Sequence, residues 1–350
     1  MVDRRALGEP GNVVIEDESH LEALQHWADE AKVNGTHCWV QLNHPGKQSP
    51  KGLNRENVAP SAIPFRKDMQ TFFETPRELK EEEIWDIVKR FGKAAEVVKK
   101  AGFSGVQIHG AHGYLVSQFL SSKHNQRTDE WGGNPEKRRK FVIEVYQAIR
   151  KEVGGSFPVG IKLNSADFQR GGFTEEESLE TIKTLTELGI DLIEISGGTY
   201  ESPAMVGSKA NQSTLEREAY FMEFAVKVRK AVNVPLVLTG GFKTYQGMAD
   251  ALTSGDVDMV GLARLLAIEP DAANKLLAGK NPDHIIQKVK TGFGPIDRMS
   301  VMETVWYREQ LERIGDGKGP KPKLSAFWVF MKYVFRFVFK RKGVWKERAS

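Results

Sequence analysis

Short β-branched runs alternate with longer amphipathic stretches along most of the chain. The apolar runs at residues 37–42, 105–109, 159–164, 192–196, 236–239 and 259–262 predict strands. Amphipathic stretches at 21–32, 82–100, 135–152, 174–188, 218–231 and 245–253 predict helices. Thr174-Glu175-Glu176-Glu177 reads as a helix start, with acids placed to meet the helix dipole. Strand–helix alternation at this spacing implies βαβ units and a parallel sheet. Six units are legible, and residues 12–15 offer one further weak strand candidate.

The strand ends narrow the architecture. They read Gln41-Leu42-Asn43-His44, Ile108-His109-Gly110-Ala111-His112, Lys162-Leu163-Asn164-Ser165, Ile195-Ser196-Gly197-Gly198, Leu238-Thr239-Gly240-Gly241 and Gly261-Leu262-Ala263-Arg264. Every strand thus finishes in polar or glycine residues, and one rim collects functional groups from all of them, as in an α/β barrel. A doubly wound sheet would concentrate them at one switch point instead. The expected fold is α/β, of the (β/α)8 TIM-barrel type but carrying about six units. The barrel is expected over residues 1–285 and a helical C-terminal extension over 286–350.

Composition adds limits. At 350 residues, with 40% hydrophobic and 27% charged positions, the chain has ordinary globular content. The single cysteine, Cys38, leaves no disulfide framework and no cysteine-held iron–sulfur cluster. Asp3, Arg4, Arg5, Glu9 and Pro10 interrupt any signal-peptide core. A reducing, cytoplasmic setting is the expectation.

The net charge of +4 hides an asymmetry. Residues 318–350 hold ten Lys or Arg and one acid, Glu347, a local +9 that leaves the preceding 317 residues at −5. The body therefore offers no basic surface for nucleic acid. Within the tail, residues 326–339 are mostly apolar, with Lys332, Arg336 and Lys340 at helical spacing. This basic amphipathic segment is too short to span a bilayer. It fits either peripheral contact of residues 326–342 with an anionic membrane surface or packing on the barrel or a partner subunit, and packing is preferred.

Candidate chemistry gathers just beyond the second of the six strands. His109, His112 and Tyr114 fall within six residues. Fixed N–H donors stabilise charge growing on a substrate oxygen, and a phenol can deliver a proton. The competing reading is a zinc-type His-x-x-His pair, but no Glu stands at metalloprotease spacing and no third ligand is evident. Lys162 interrupts an apolar strand and needs a partner, either a bound anion or Glu194 on the next strand. Gly240 and Gly241, with Ala263 and Arg264, suit phosphate, because bare backbone and a guanidinium meet after the last two strands. Gln41 carries an amide able to donate and accept. Ser196-Gly197-Gly198-Thr199-Tyr200 is assigned no chemistry.

The His109–Tyr114 stretch continues through Asn125, Arg127, Asp129, Gly132, Gly133 and Arg138. With Gln41-Leu42-Asn43-His44-Pro45-Gly46-Lys47, it resembles the Old Yellow Enzyme family of FMN-dependent ene-reductases, over about residues 21–277. The resemblance implies non-covalent FMN, NADH or NADPH as reductant, and a small activated alkene as substrate in a ping-pong cycle. It implies that Gln41, Lys162, Gly240, Gly241, Ala263 and Arg264 hold the flavin. It further implies that His109 and His112 bind the substrate oxygen while Tyr114 donates the proton, with no metal. Lys47 replaces the family's usual arginine. The chain opens on a segment similar to the one after the family's second strand, so two barrel strands are expected to be missing and part of the flavin bed open. FMN binding by this polypeptide alone is accordingly expected to be weak. The rivals are a catalytically impaired scaffold or membrane-associated protein and a metal-dependent barrel hydrolase. A homo-oligomer is an open option.

Overall fold

A computed structural model describes residues 1–202, 218–286, 289–293, 297 and 301–335. Its central sheet contains β1 (Trp39–Leu42), β4 (Gly105–Gly110), β5 (Val159–Asn164), β6 (Leu192–Ser196), β7 (Leu236–Thr239) and β8 (Met259–Gly261). These six pair in sequence order and all in parallel. Two short strands, β2 (Val58–Ala59) and β3 (Arg77–Glu78), form a separate parallel pair that the residue pattern did not predict.

Period-2 alternation divides the sheet into two faces. Val106, Ile108, Ile161, Ile193, Ile195 and Leu238 belong to one buried apolar core shared with the helices. The other face carries Gln41, Gln107, His109, Lys162, Glu194 and Thr239 and corresponds to a barrel interior. Trp39 fills its lower end. A Cβ on Gly105 would lie 2.6 Å from the Trp39 ring and one on Gly160 3.0 Å from it, so both positions must stay bare. The sheet remains open, since among the described residues β1 and β8 each pair on one side only. Their interior-facing side chains Gln41 and Met259 are accordingly exposed.

The helices follow their sequence signals. α1 (Leu21–Ala31) precedes the sheet. α2 (Glu81–Lys100) opens on three glutamates and closes on Lys99 and Lys100, both matching the dipole. After α3 (Leu115–Leu120), α4 (Pro135–Val153) has Pro at its start, an Asn134 cap accepting from the Lys137 N–H at 2.8 Å, and Gly154 at φ 76° as its stop. α2 and α4 cross closely because Gly92 faces the Ala148 carbonyl, 2.9 Å from where a Cβ would sit. α5 (Glu175–Glu187) begins with a Thr174–Glu177 capping box. α6 (Met222–Ala231) starts four residues later than its amphipathic pattern suggests. Glu218 and Ala219 take φ of 60° and 43°, a left-handed turn incompatible with a helix interior. α7 (Tyr245–Thr253) coincides with its prediction. Residues 12–15 form no strand; they fold back on the chain start, with Met1 donating to the Val13 carbonyl and Ile15 to the Met1 carbonyl.

Beyond β8 lie α8 (Arg264–Ile268), α9 (Ala272–Leu277), α10 (Val301–Gly315) and a helical stretch at 326–335. A second small core joins α8, α10 and the 326–335 helix, built from Ala267, Ile268, Val305, Trp306, Tyr307, Ala326 and Val329. α10 ties both ends of the open sheet together. Its Arg308 pairs with Glu9 at 3.0 Å and donates to the Pro10 carbonyl, while its Glu303 pairs with Arg264 beyond β8 at 3.1 Å. The 326–335 helix thus packs on the extension through Ala326 and Val329. Arg336, Lys340 and the rest of the tail lie outside the described residues. No helix among the described residues is long and apolar enough to cross a membrane.

The α3–α4 contact makes the packing testable. Phe141 is fully buried, stacked on Phe119 at 4.1 Å and edge-on to Trp131. Phe141→Ala is expected to lower the unfolding free energy by about 3–5 kcal/mol, read as a shift in the urea midpoint.

Candidate active site

His109 closes the interior face of β4, and the chain then turns sharply. His112 adopts φ 62°, followed by Gly113 at 81°. A left-handed non-glycine residue costs about 1–2 kcal/mol, so its neighbours must hold it. The His112 N–H donates to Asn164 Oδ1 at 3.1 Å, and Gln48 Nε2 donates to the His112 carbonyl at 2.9 Å. Asn164 is itself fixed, donating to Asp167 and to the Gly198 carbonyl. The His109 ring therefore stands 5.2 Å from that of His112 and 4.8 Å from that of Tyr114, centroid to centroid.

Burial sets the protonation of these groups. Desolvation lowers His112 to about 3 and His109 well below its ordinary value, with Lys162 adding to both. Both rings are neutral, each with one N–H. The Ala111 N–H donates to His109 Nδ1 at 3.4 Å, which leaves the His109 proton on Nε2. His112 Nε2 lies 2.8 Å from Ser196 Oγ. Burial pushes Tyr114 up to about 12, so its phenol keeps its proton at neutral pH.

Tyr200 completes this group, with its hydroxyl 2.8 Å from that of Tyr114. The residue pattern flagged its loop but no role; its cue was a tyrosine two residues past a glycine pair at a strand end. The next residue, Glu201, anchors the loop in a buried cluster. Its carboxylate lies 3.7 Å from Lys47 Nζ and 3.6 Å from His124 Nε2, and Lys47 sits over the Phe65 ring. Lys47 thus holds the tyrosine loop in place.

Along the interior face runs a polar chain. Gln41 Nε2 donates to Gln107 Oε1 at 2.7 Å, and Gln107 Nε2 donates to Glu194 Oε2 at 2.8 Å. Lys162 Nζ and the Thr239 hydroxyl both reach Glu194 Oε1, the lysine at 3.0 Å. Of the two partners considered for Lys162, Glu194 is present, yet the lysine also borders the cavity described next.

That cavity measures about 550 Å³, and its lining includes His109, His112, Tyr114, Lys162, Gly240, Gly241, Ala263 and Arg264. Gln41 is not part of the lining; it stands exposed on the edge strand. Thr304, Tyr307 and Leu311 of α10 supply a wall that no local pattern announces. At one end Gly240 and Gly241 take φ of 125° and 87°, and a Cβ on Gly241 would meet the Tyr220 ring at 2.6 Å, so the backbone there is bare. Among the described residues no group of three His, Cys, Asp or Glu side chains could hold a metal ion.

Bare backbone and a guanidinium at one end, an ammonium midway, and two neutral imidazoles beside a phenol at the other suit a ligand with a phosphate tail and an electron-accepting ring. The size lies within the usual range for cofactor sites. The residues present on this parallel α/β rim fit FMN. The chain belongs to the NADH:flavin oxidoreductase / NADH oxidase family, whose model matches residues 1–283. It is 39% identical over 303 residues to the NADH-dependent flavin oxidoreductase iliE of Neonectria sp. (strain DH2), a match spanning 80% of this chain and 38% of that protein. Among solved structures it resembles 2-naphthoyl-CoA reductase in complex with 2-naphthoyl-CoA (TM-score 0.74, 29% identity, 85% of this chain and 46% of that one). It also resembles the old yellow enzyme homologue from Zymomonas mobilis (TM-score 0.67, 25% identity, 82% and 79%).

The buried imidazoles make stability depend on pH. Burial lowers His44 to about 4 and His112 to about 3, and holds His109 and His124 well below the ordinary 6.5. The unfolded chain binds these protons first, so the stabilising contribution is complete above about pH 6.5 and is lost as pH falls towards the folded values. Four such groups give a slope of up to about 5 kcal/mol per pH unit in that window. Urea midpoints should therefore fall steeply from about pH 7 to about pH 5; equal midpoints would contradict the neutral, buried assignment.

Proposed function

We propose that the protein reduces the C=C bond of a small activated alkene, such as an α,β-unsaturated carbonyl compound, with FMN as cofactor and NADH or NADPH as electron source. What carries the reading is the convergence of His109, His112 and Tyr114 on the cavity that also contains Lys162, Gly240, Gly241 and Arg264. When bound, reduced FMN supplies the hydride for the β-carbon.

The residues then divide the remaining work. His109 and His112 donate N–H hydrogen bonds to the carbonyl oxygen, and being neutral and desolvated they favour the charge that grows there without first attracting an anion. Tyr114 delivers its proton to the α-carbon, and its raised pKa keeps that proton in place until a carbanion-like carbon demands it. Tyr200 orients the Tyr114 hydroxyl through their 2.8 Å hydrogen bond. Lys162, which borders the cavity, would hold the flavin ring and favour negative charge on it. Gly240, Gly241, Ala263 and Arg264 would hold the phosphate, with Arg264 paired to Glu303 at 3.1 Å in its absence.

Tyr114→Phe should slow alkene reduction by about 100-fold or more in stopped-flow measurement, while reduction of bound flavin by NADH or NADPH stays close to that of the parent. Equal loss in both half-reactions would remove Tyr114 from the proton-donor role. Tyr200→Phe should give a smaller loss in the same half-reaction alone.

A further inference from the structure

We propose that the C-terminal extension seats this protein on an anionic lipid surface through an aromatic patch. The 326–335 helix turns Ala326 and Val329 inward, at 7% and 4% exposure. Its opposite side presents Trp328 and Met331, exposed at 69% and 44%, one helical turn apart, with Val334 a further turn on. The patch continues beyond the helix. Phe327 lies 5.6 Å from Trp328 and stacks at 5.9 Å on Phe293, itself more than half exposed. Contiguous exposed aromatics of this kind mark an interaction surface on a soluble domain.

Charge selects the occupant. The helical part of the patch lies within residues 318–350, where ten Lys or Arg stand against one acid, while residues 1–317 carry a net −5. Near an anionic bilayer this asymmetry turns the basic end towards the lipid and the acidic body away. Two copies meeting through the same patch would bring two +9 segments together. Tryptophan with flanking lysines is also the pairing that settles at a membrane–water interface, where one end of the ring is dry and the other wet. Phe327 further borders a cavity of about 600 Å³ whose wall includes Lys290 and Lys323, donors suited to a lipid phosphate. The surface lies on the α10 side of the fold and needs none of the proposed catalytic groups.

The test is co-sedimentation of the full chain with vesicles of phosphatidylcholine alone and of phosphatidylcholine mixed with phosphatidylglycerol. Binding is expected only to the anionic vesicles and should weaken as salt is raised. The pair W328S/M331S should bind at least about tenfold less tightly, with an unchanged circular dichroism spectrum. K290E/K323E, at two exposed positions, provides a second reading that leaves the aromatic patch intact, and a similar loss is expected. Brominated lipid should quench part of the tryptophan emission in the parent and less in W328S/M331S. Equal binding to both vesicle types, no binding, or binding unaffected by both variants would overturn the proposal. So would a dimer seen by sedimentation velocity that W328S/M331S dissolves while vesicle binding is absent.

Discussion

One carboxylate organises the interior face of this sheet. Glu194 projects from β6 into a layer where an unpaired charge would be costly, and its neighbours answer it from both sides. Lys162 comes from β5, Gln107 from β4 and Thr239 from β7, while Gln41 on β1 extends the chain by gripping Gln107. Five of the six strands are thus linked through one acid. The Glu194 carboxylate fixes the position of Lys162 at 3.0 Å. From there upward the interior rises to His109 and the cavity. Displacing Glu194 would leave an ammonium without its counter-charge and loosen the strand registry on which both ends of the cavity depend.

Much of this was readable in the residues, and the reasons are local. Strands β5, β6 and β7 fall where alternating burial demands them, and α5 and α7 begin at their capping threonines, because period and caps act over a few positions. The cavity residues His109, His112, Tyr114, Gly240, Gly241, Ala263 and Arg264 could be listed in advance because they stand at or just past strand ends, and Lys162 because it interrupts an apolar strand. Features that escaped depend on distance. Nothing near Glu303 or Tyr307 announces a wall for a cavity whose lining reaches back to Glu9. Gln41 had a polar strand-end signature, but its amide turns to Gln107, a partner 66 positions away. Glu218 and Ala219 carry a helical pattern yet turn left-handed, where Glu218 Oε2 accepts from the Lys243 and Thr244 N–H groups in the loop beyond β7.

The two tyrosines show how a site can be built from an ordinary loop. Tyr200 has no packing rule that would place it beside Tyr114. Its position comes from the adjacent Glu201, which sits between Lys47 and His124, and desolvation draws Lys47 down to about 8. A buried ion pair adds little net stability; its value here is positional. The lysine and the acid hold the loop at one end, and the hydroxyl pair reports that placement at the other. An arginine at position 47 would bring a longer, forked cation into a space already filled by the Phe65 ring.

The bridge made by α10 has a consequence in time. Glu9 and Arg308 are 299 residues apart, among the longest spans between any two partners in the fold. Closing so long a loop carries a high entropic cost, and it must await contacts of shorter range. On a ribosome emitting the chain from its N-terminus, the six strands and their helices can all emerge before the residue that joins the sheet's two ends. The α10 wall of the cavity is thus made by a segment that leaves the ribosome after every strand that it covers. The helix at 326–335, which packs on α10 through Ala326 and Val329, emerges later still.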